Sequence, residues 1–102
     1  MIIAAFKYKV NPAFAEEFDY LYSYALKHVG IIDGYDGHEV FEGKNGEQML
    51  VVRFKDKDSF IAWDEHPEHK KYKERGKTEI FLSYDVSVGE VFERHTKEEG
   101  VI

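Results

Sequence analysis

The chain has no cysteine in its 102 residues. That excludes disulfides, thiolate nucleophiles, zinc–thiolate sites and iron–sulfur clusters. Proline occurs only at Pro12 and Pro67, and each marks a place where a helix must begin or break. No long apolar run is present. Met1-Ile2-Ile3-Ala4-Ala5-Phe6 is interrupted by Lys7 and Lys9. It is too short for a membrane span or a signal core, and no basic segment leads into it. The expectation is a cytoplasmic protein with no membrane partner. Basic charge is also in short supply: 14 Lys and Arg stand against 20 Asp and Glu, a net charge of −6. The one basic cluster, Lys70, Lys71, Lys73, Arg75 and Lys77, is interleaved with Glu65, Glu68, Glu74 and Glu79. That is the pattern of a solvated helix face, so no nucleic-acid partner is expected.

Aromatics are what the chain has in excess: eight Phe, seven Tyr and one Trp. Such side chains bring large apolar area, with a polar tip on Tyr and Trp, and suit interfaces and ligand pockets. The length allows one domain, read as residues 1–95 with a polar tail over 96–102. Val101 and Ile102 could pack on a partner.

The pattern gives an order of elements. Residues 2–10 mix aliphatic and aromatic side chains and then alternate, which predicts a strand. Asn11-Pro12 ends it and caps a helix to about His28. That helix carries a stripe of Phe14, Phe18, Leu21, Tyr22, Ala25 and Val29, and Gly30 reads as its stop. Strands over 37–42 and 48–54 flank Asn45-Gly46, a strong hairpin signal. Asp56 or Asp58 caps a helix bearing Phe60, Ile61 and Trp63, and Pro67 interrupts it. A second helical piece runs to Arg75, closed by Gly76. Residues 79–94 then alternate as a long strand. Ile80, Leu82, Tyr84, Val86 and Val88 share one face, and Gly89 marks a bend.

The order β-α-β-β-α-β is the ferredoxin-like split βαβ arrangement of the α+β class: an antiparallel sheet with helices on one face. Its other face must be covered, and the last strand is longer than such a sheet needs. Both features predict a homodimer joined sheet to sheet, the dimeric α+β barrel.

The most specific string is Trp63-Asp64-Glu65-His66-Pro67-Glu68-His69, followed by Tyr72 and Gly76. With Phe54, the 56–63 helix and a last strand ending in Val88, Val91 and Arg94, it resembles the antibiotic-biosynthesis-monooxygenase-like family. The resemblance covers essentially the whole chain. It implies a cofactor-independent monooxygenase whose small aromatic or quinol-like substrate sits between sheet and helices. A deprotonated phenol or enol would react with dioxygen directly, and the protein would supply a dry pocket, a base and oxyanion stabilisation.

His66 and His69 are the candidate bases, because His accepts a proton near neutral pH. Trp63, Tyr72, Phe60 and Phe54 are the candidate substrate-binding residues. Each also has a plainer reading, Trp63 as core and His66 as a helix-end cap. No metal ligand set and no cofactor are expected, since Pro67 disrupts the spacing of His66 and His69, while His28 and His38 are scattered. The haem-degrading branch would need an Asn on the first strand and a His nine or ten residues after the Trp. Phe6, Lys7, Tyr8 and Tyr72, Lys73 stand there instead. The rival reading is a non-catalytic dimeric module that binds a small apolar or aromatic ligand or serves in a stress response.

Overall fold

The computed structural model describes residues 1–100. Four antiparallel strands, β1 (Ile2–Val10), β2 (Tyr35–Glu42), β3 (Glu47–Phe54) and β4 (Phe81–Glu90), lie in the order β2-β3-β1-β4. Three helices, α1 (Ala15–Val29), α2 (Lys57–Asp64) and α3 (Pro67–Arg75), complete the α+β, ferredoxin-like fold. No helix among the described residues is long and apolar enough to cross a membrane.

The local chemistry explains the boundaries. Asn11 accepts from the Ala13 amide and opens a short 3-10 turn over Pro12–Phe14, which leads into α1. Asn45 and Gly46 both adopt positive φ, 60° and 78°, which lets the β2–β3 hairpin reverse. Asp56 is the cap of α2; its carboxylate accepts from the amide and hydroxyl of Ser59. The chain breaks before Pro67 as expected, and His66 caps α3.

Three expectations need correcting. Gly30 and Gly76 both keep right-handed helical angles, so neither is a left-handed stop. Gly76 opens a π-helical turn, Gly76–Ile80, and the Phe81 ring packs where a Cβ on this residue would lie. The last strand therefore begins at Phe81 and ends at Glu90, shorter than the 79–94 alternation suggested. Ile80, only 2 % exposed, belongs to the core and not to a strand face.

The sheet has two unlike faces. Ile2 pairs with Phe54, and both sit in the core with Val29 and Trp63, so this face looks toward the helices. Alternation adds Ala4, Phe6 and Tyr8 on β1, Leu50 and Val52 on β3, and their partners Tyr84, Val86 and Val88 on β4. Val86 thus lies on the helix side. Phe81 does too, since it touches Phe6, Tyr8 and Phe18. A register shift beside Val10 breaks the alternation expected through Leu82. The face opposite the helices carries Ile3, Ala5, Met49, Val51 and Phe41, with Lys7 beside Asp85 and an Arg53–Glu39 ion pair.

Candidate functional site

The helix-facing surface is packed at its two ends. At one end Ile2, Val29, Phe54 and Trp63 form the core, supported by Ala25, Leu26, Val52 and Phe60. At the other, Tyr8, Phe18, Phe81 and Tyr84 gather around Phe6, with ring centroids 5.0–6.3 Å apart. Between them the strands carry Ala4 and Leu50, only half-buried although a helix lies on that side. Toward the edge strands the surface opens further, with Val86 53 % exposed. The result is a half-buried apolar strip on the helix-facing side of the sheet.

Its polar groups are phenols and one imidazole. Burial pushes the Tyr8 phenol up to about 12, with Tyr22 adding to the effect. Burial also raises the phenols of Tyr22, with Tyr35 adding to it, and of Tyr35. All three are protonated at neutral pH, so each hydroxyl can donate one hydrogen bond and accept others. Tyr35 and His38 share a hydrogen bond between Oη and Nδ1. A shallow cavity of about 330 Å³, lined by Met1, Gly34, Tyr35, Asp36 and Lys55, reaches the same tyrosine.

The residues singled out from the sequence fall in three places. Phe54 and Trp63 are core, 1 % and 8 % exposed, and Phe60 packs edge-on to Phe54 at 5.7 Å. Trp63 therefore borders neither the 330 Å³ cavity nor a second one of about 150 Å³ beside Phe41 and Met49. His66 and His69 do come together around Trp63. The His69 ring stacks on the indole at 4.4 Å and 19°, and the His66 ring lies 5.8 Å from it. Tyr72 is separate, facing His28 between α1 and α3 at a ring separation of 6.4 Å. Its hydroxyl is 3.5 Å from His28 Nδ1, too far for a strong bond.

Both expected bases are occupied structurally. His66 Nδ1 accepts from the Glu68 amide at 3.1 Å, so its lone pair serves the α3 cap. His69 Nδ1 lies 3.1 Å from the Trp63 carbonyl. A carbonyl only accepts, so Nδ1 carries the proton and Nε2 keeps the lone pair. Burial, reinforced by Lys73, pushes that ring down to about 4. His69 is thus neutral and weakly basic. His28, by the same logic, donates from Nδ1 to the Tyr24 carbonyl at 2.8 Å. Among the described residues no three His, Asp or Glu side chains are grouped to hold a metal.

Sequence reasoning passed over His38. The signal that could have found it is Gly37 inside a strand, which marks a bulge beside the histidine.

The family model described as antibiotic biosynthesis monooxygenase matches residues 1–75. Among curated proteins none matches. Among solved structures, the protein Rv0793 from Mycobacterium tuberculosis is similar at 14 % identity and a TM-score of 0.78, covering 93 % of this chain and 98 % of that one. A Deinococcus radiodurans protein, described as a candidate antibiotic biosynthesis monooxygenase, is 13 % identical at a TM-score of 0.81, covering 97 % and 100 %. SnoaB, a cofactor-independent oxygenase from Streptomyces nogalater, is 12 % identical at a TM-score of 0.77, covering 94 % and 97 %. At these identities the structures speak for the fold alone.

Proposed function

The chain belongs to the antibiotic biosynthesis monooxygenase family, and from that premise we propose that it is a cofactor-independent monooxygenase of a small aromatic or quinol-like substrate, acting as a homodimer. The observation that carries this reading is the half-buried apolar strip on the helix-facing side of the sheet, whose polar groups are phenols and an imidazole. Such a strip offers a flat apolar ring a surface to lie on, with polar anchors at its edge.

The chemistry needs little more. A substrate phenol or enol loses its proton, and the electron-rich anion reduces dioxygen. One oxygen atom ends on a ring methylene carbon as a carbonyl, and the other leaves as water with that carbon's two hydrogens. The substrate supplies the electrons. The protein's part is to orient the ring, accept a proton and hold the oxyanion with phenol donors. Of the two bases expected from sequence, His69 retains a free ring nitrogen, Nε2, and is the one to replace first.

Dimerisation is supported by the uncovered face. Ile3, Ala5, Met49, Val51 and Phe41 form an apolar surface without a helix over it. A second copy, meeting it sheet to sheet, would bury that surface. A cytoplasmic location belongs to this reading and rests on the sequence alone.

A second reading, a non-catalytic module for a small apolar ligand, is favoured by one observation: His66 and His69 are both engaged in holding the helices. Oxygen uptake separates the two. Incubation with hydroxyanthrones, which carry such a methylene, under labelled dioxygen should consume oxygen and leave one labelled atom in the product. Tight binding with no uptake above buffer autoxidation makes the protein a binder, and neither response removes both readings.

A further inference from the structure

Tyr35 and His38 are three residues apart, and in a regular strand they would point to opposite faces. The register shows why they do not. Tyr35 lies opposite Phe54 and His38 opposite Val52, so β2 advances three residues while β3 advances two. The extra residue is absorbed at Asp36-Gly37, where Gly37 has φ +96°. This β-bulge turns both side chains onto the helix-facing surface. Bulges of this kind re-aim side chains beside active sites.

The pair is held on both sides. The Tyr35 ring packs edge-on against Phe54 at 6.3 Å, and Phe54 is fully buried. Tyr35 Oη and His38 Nδ1 are hydrogen-bonded. Beyond His38 the same cross-strand row continues through Val52, Ala4 and Val88. This row is an apolar floor with a single imidazole at its edge. Ala4, the smallest side chain in it, lies at the middle of the sheet. Nε2 carries no protein hydrogen bond among the described residues.

We propose that His38, positioned by Tyr35, is the proton acceptor for a phenolic substrate lying on this floor. The substrate hydroxyl gives its proton to Nε2, while Nδ1–H stays on Tyr35 Oη. A neutral phenol and a neutral imidazole become a phenolate and an imidazolium. No other bond is made or broken in this step. His38 is then the catalytic residue and Tyr35 a positioning residue that holds the ring, accepting from Nδ1–H in the reactive tautomer. His66 and His69 are left to their structural work around Trp63. The assignment rests on the oxygenase reading above, and it concerns the same substrate class.

The test separates proton transfer from turnover. With 1,8-dihydroxy-9-anthrone as probe and oxygen excluded, wild-type protein should bind it and develop the absorbance of its ionised form. His38→Gln should still bind, read by quenching of Trp63 fluorescence, but lose the ionised band. In air its kcat should fall by ~10²-fold. His38→Ala should recover part of its rate with added imidazole. Tyr35→Phe, which keeps the ring on Phe54, should lower kcat about tenfold with KM unchanged.

An ionised band that persists in His38→Gln overturns the assignment, as does its loss in His69→Ala while His38→Gln retains it. If both His38 variants fail to fold by circular dichroism, Tyr35→Phe decides, and a wild-type rate there overturns it. Wild-type turnover with unaffected His38 variants removes this assignment alone. A wild-type protein that neither binds nor oxidises the probe or its hydroxyanthrone relatives removes the oxygenase reading with it.

Discussion

Gly34 shows how one backbone position sets the space around it. Its φ is +91°, and a Cβ there would lie 1.9 Å from Ser59 Oγ. That hydroxyl donates to Asp56 and would lose this bond if it swung away, and the Ser59 Cβ, 2.7 Å from the same point, cannot move with it. Gly34→Ala should therefore cost about 2–4 kcal/mol, read as a lowered urea midpoint. A midpoint equal to wild type would mean the loop relaxes freely.

His69 makes a prediction of a different kind. Its ring titrates near 6.5 when unfolded and near 4 when folded. Between those values the unfolded chain binds a proton that the folded chain refuses. Its contribution is complete above the upper value and is lost as pH falls toward the lower one. Stability should drop by about 2 kcal/mol from pH 7 to 5 through this group. His69→Phe, which keeps a ring on the indole, should show a smaller drop in denaturation curves at the two pH values. Equal drops would mean the ring protonates without cost.

The motif around Trp63 was legible because its residues lie close in sequence. The Tyr35–His38 pair was not. A strict alternation puts the two on opposite faces, and the bulge at Gly37 cancels that rule.

Among the elements, the break between α2 and α3 is the best specified. Pro67 cannot continue α2, and His66 turns the interruption into a cap by accepting from the Glu68 amide. His66→Ala should cost about 1 kcal/mol in chemical denaturation, and His66→Asn should restore most of it, because an Asn carbonyl can accept the same bond. If Asn is no better than Ala, the ring's packing near Trp63 matters more than the cap. The Pro67 break and the Asn45-Gly46 hairpin could be read directly, since each depends on residues adjacent in the chain. The π-helical turn after α3 could not. Gly76 looks like a helix stop, and what it serves is the Phe81 ring, 2.6 Å from where a Cβ would be. The Phe81 ring is held there by Phe6, Tyr8 and Phe18, which are far away in sequence, so residues 76–81 alone do not announce the contact.

For the whole molecule the decisive feature is the sheet face without helices. It mixes apolar residues with Lys7, Asp85 and the Arg53–Glu39 pair. Arg53 Nε is buried with no partner among the described residues, a cost that an acceptor from a second copy could remove. Val51, near the middle of this face, is the position to change. Val51→Glu should leave circular dichroism unchanged and convert a dimer to a monomer in sedimentation velocity at micromolar concentration. A wild-type protein that already sediments as a folded monomer contradicts the dimer. The split βαβ order, and with it the need for cover, was legible from the spacing of turns and apolar runs. Which face carries the apolar residues of β4 was not, because it is set by their pairing with Ala4, Phe6 and Tyr8 of β1, far away in sequence.

The strand order has a further consequence, for assembly. β1 lies between β3 and β4, and its pairing with β4 joins Ile2 to Glu90. Beyond that pair, the Val91 amide donates to the Met1 carbonyl at 2.9 Å. A chain that has built everything through α3 still has one bare edge on β1, waiting for a segment far away in sequence. Closing so large a loop is slow compared with forming a hairpin. Until β4 arrives, that edge can accept a strand from any other chain. The ten-residue β4 is therefore what covers this edge, and a chain that lacked it would present β1 to any free strand.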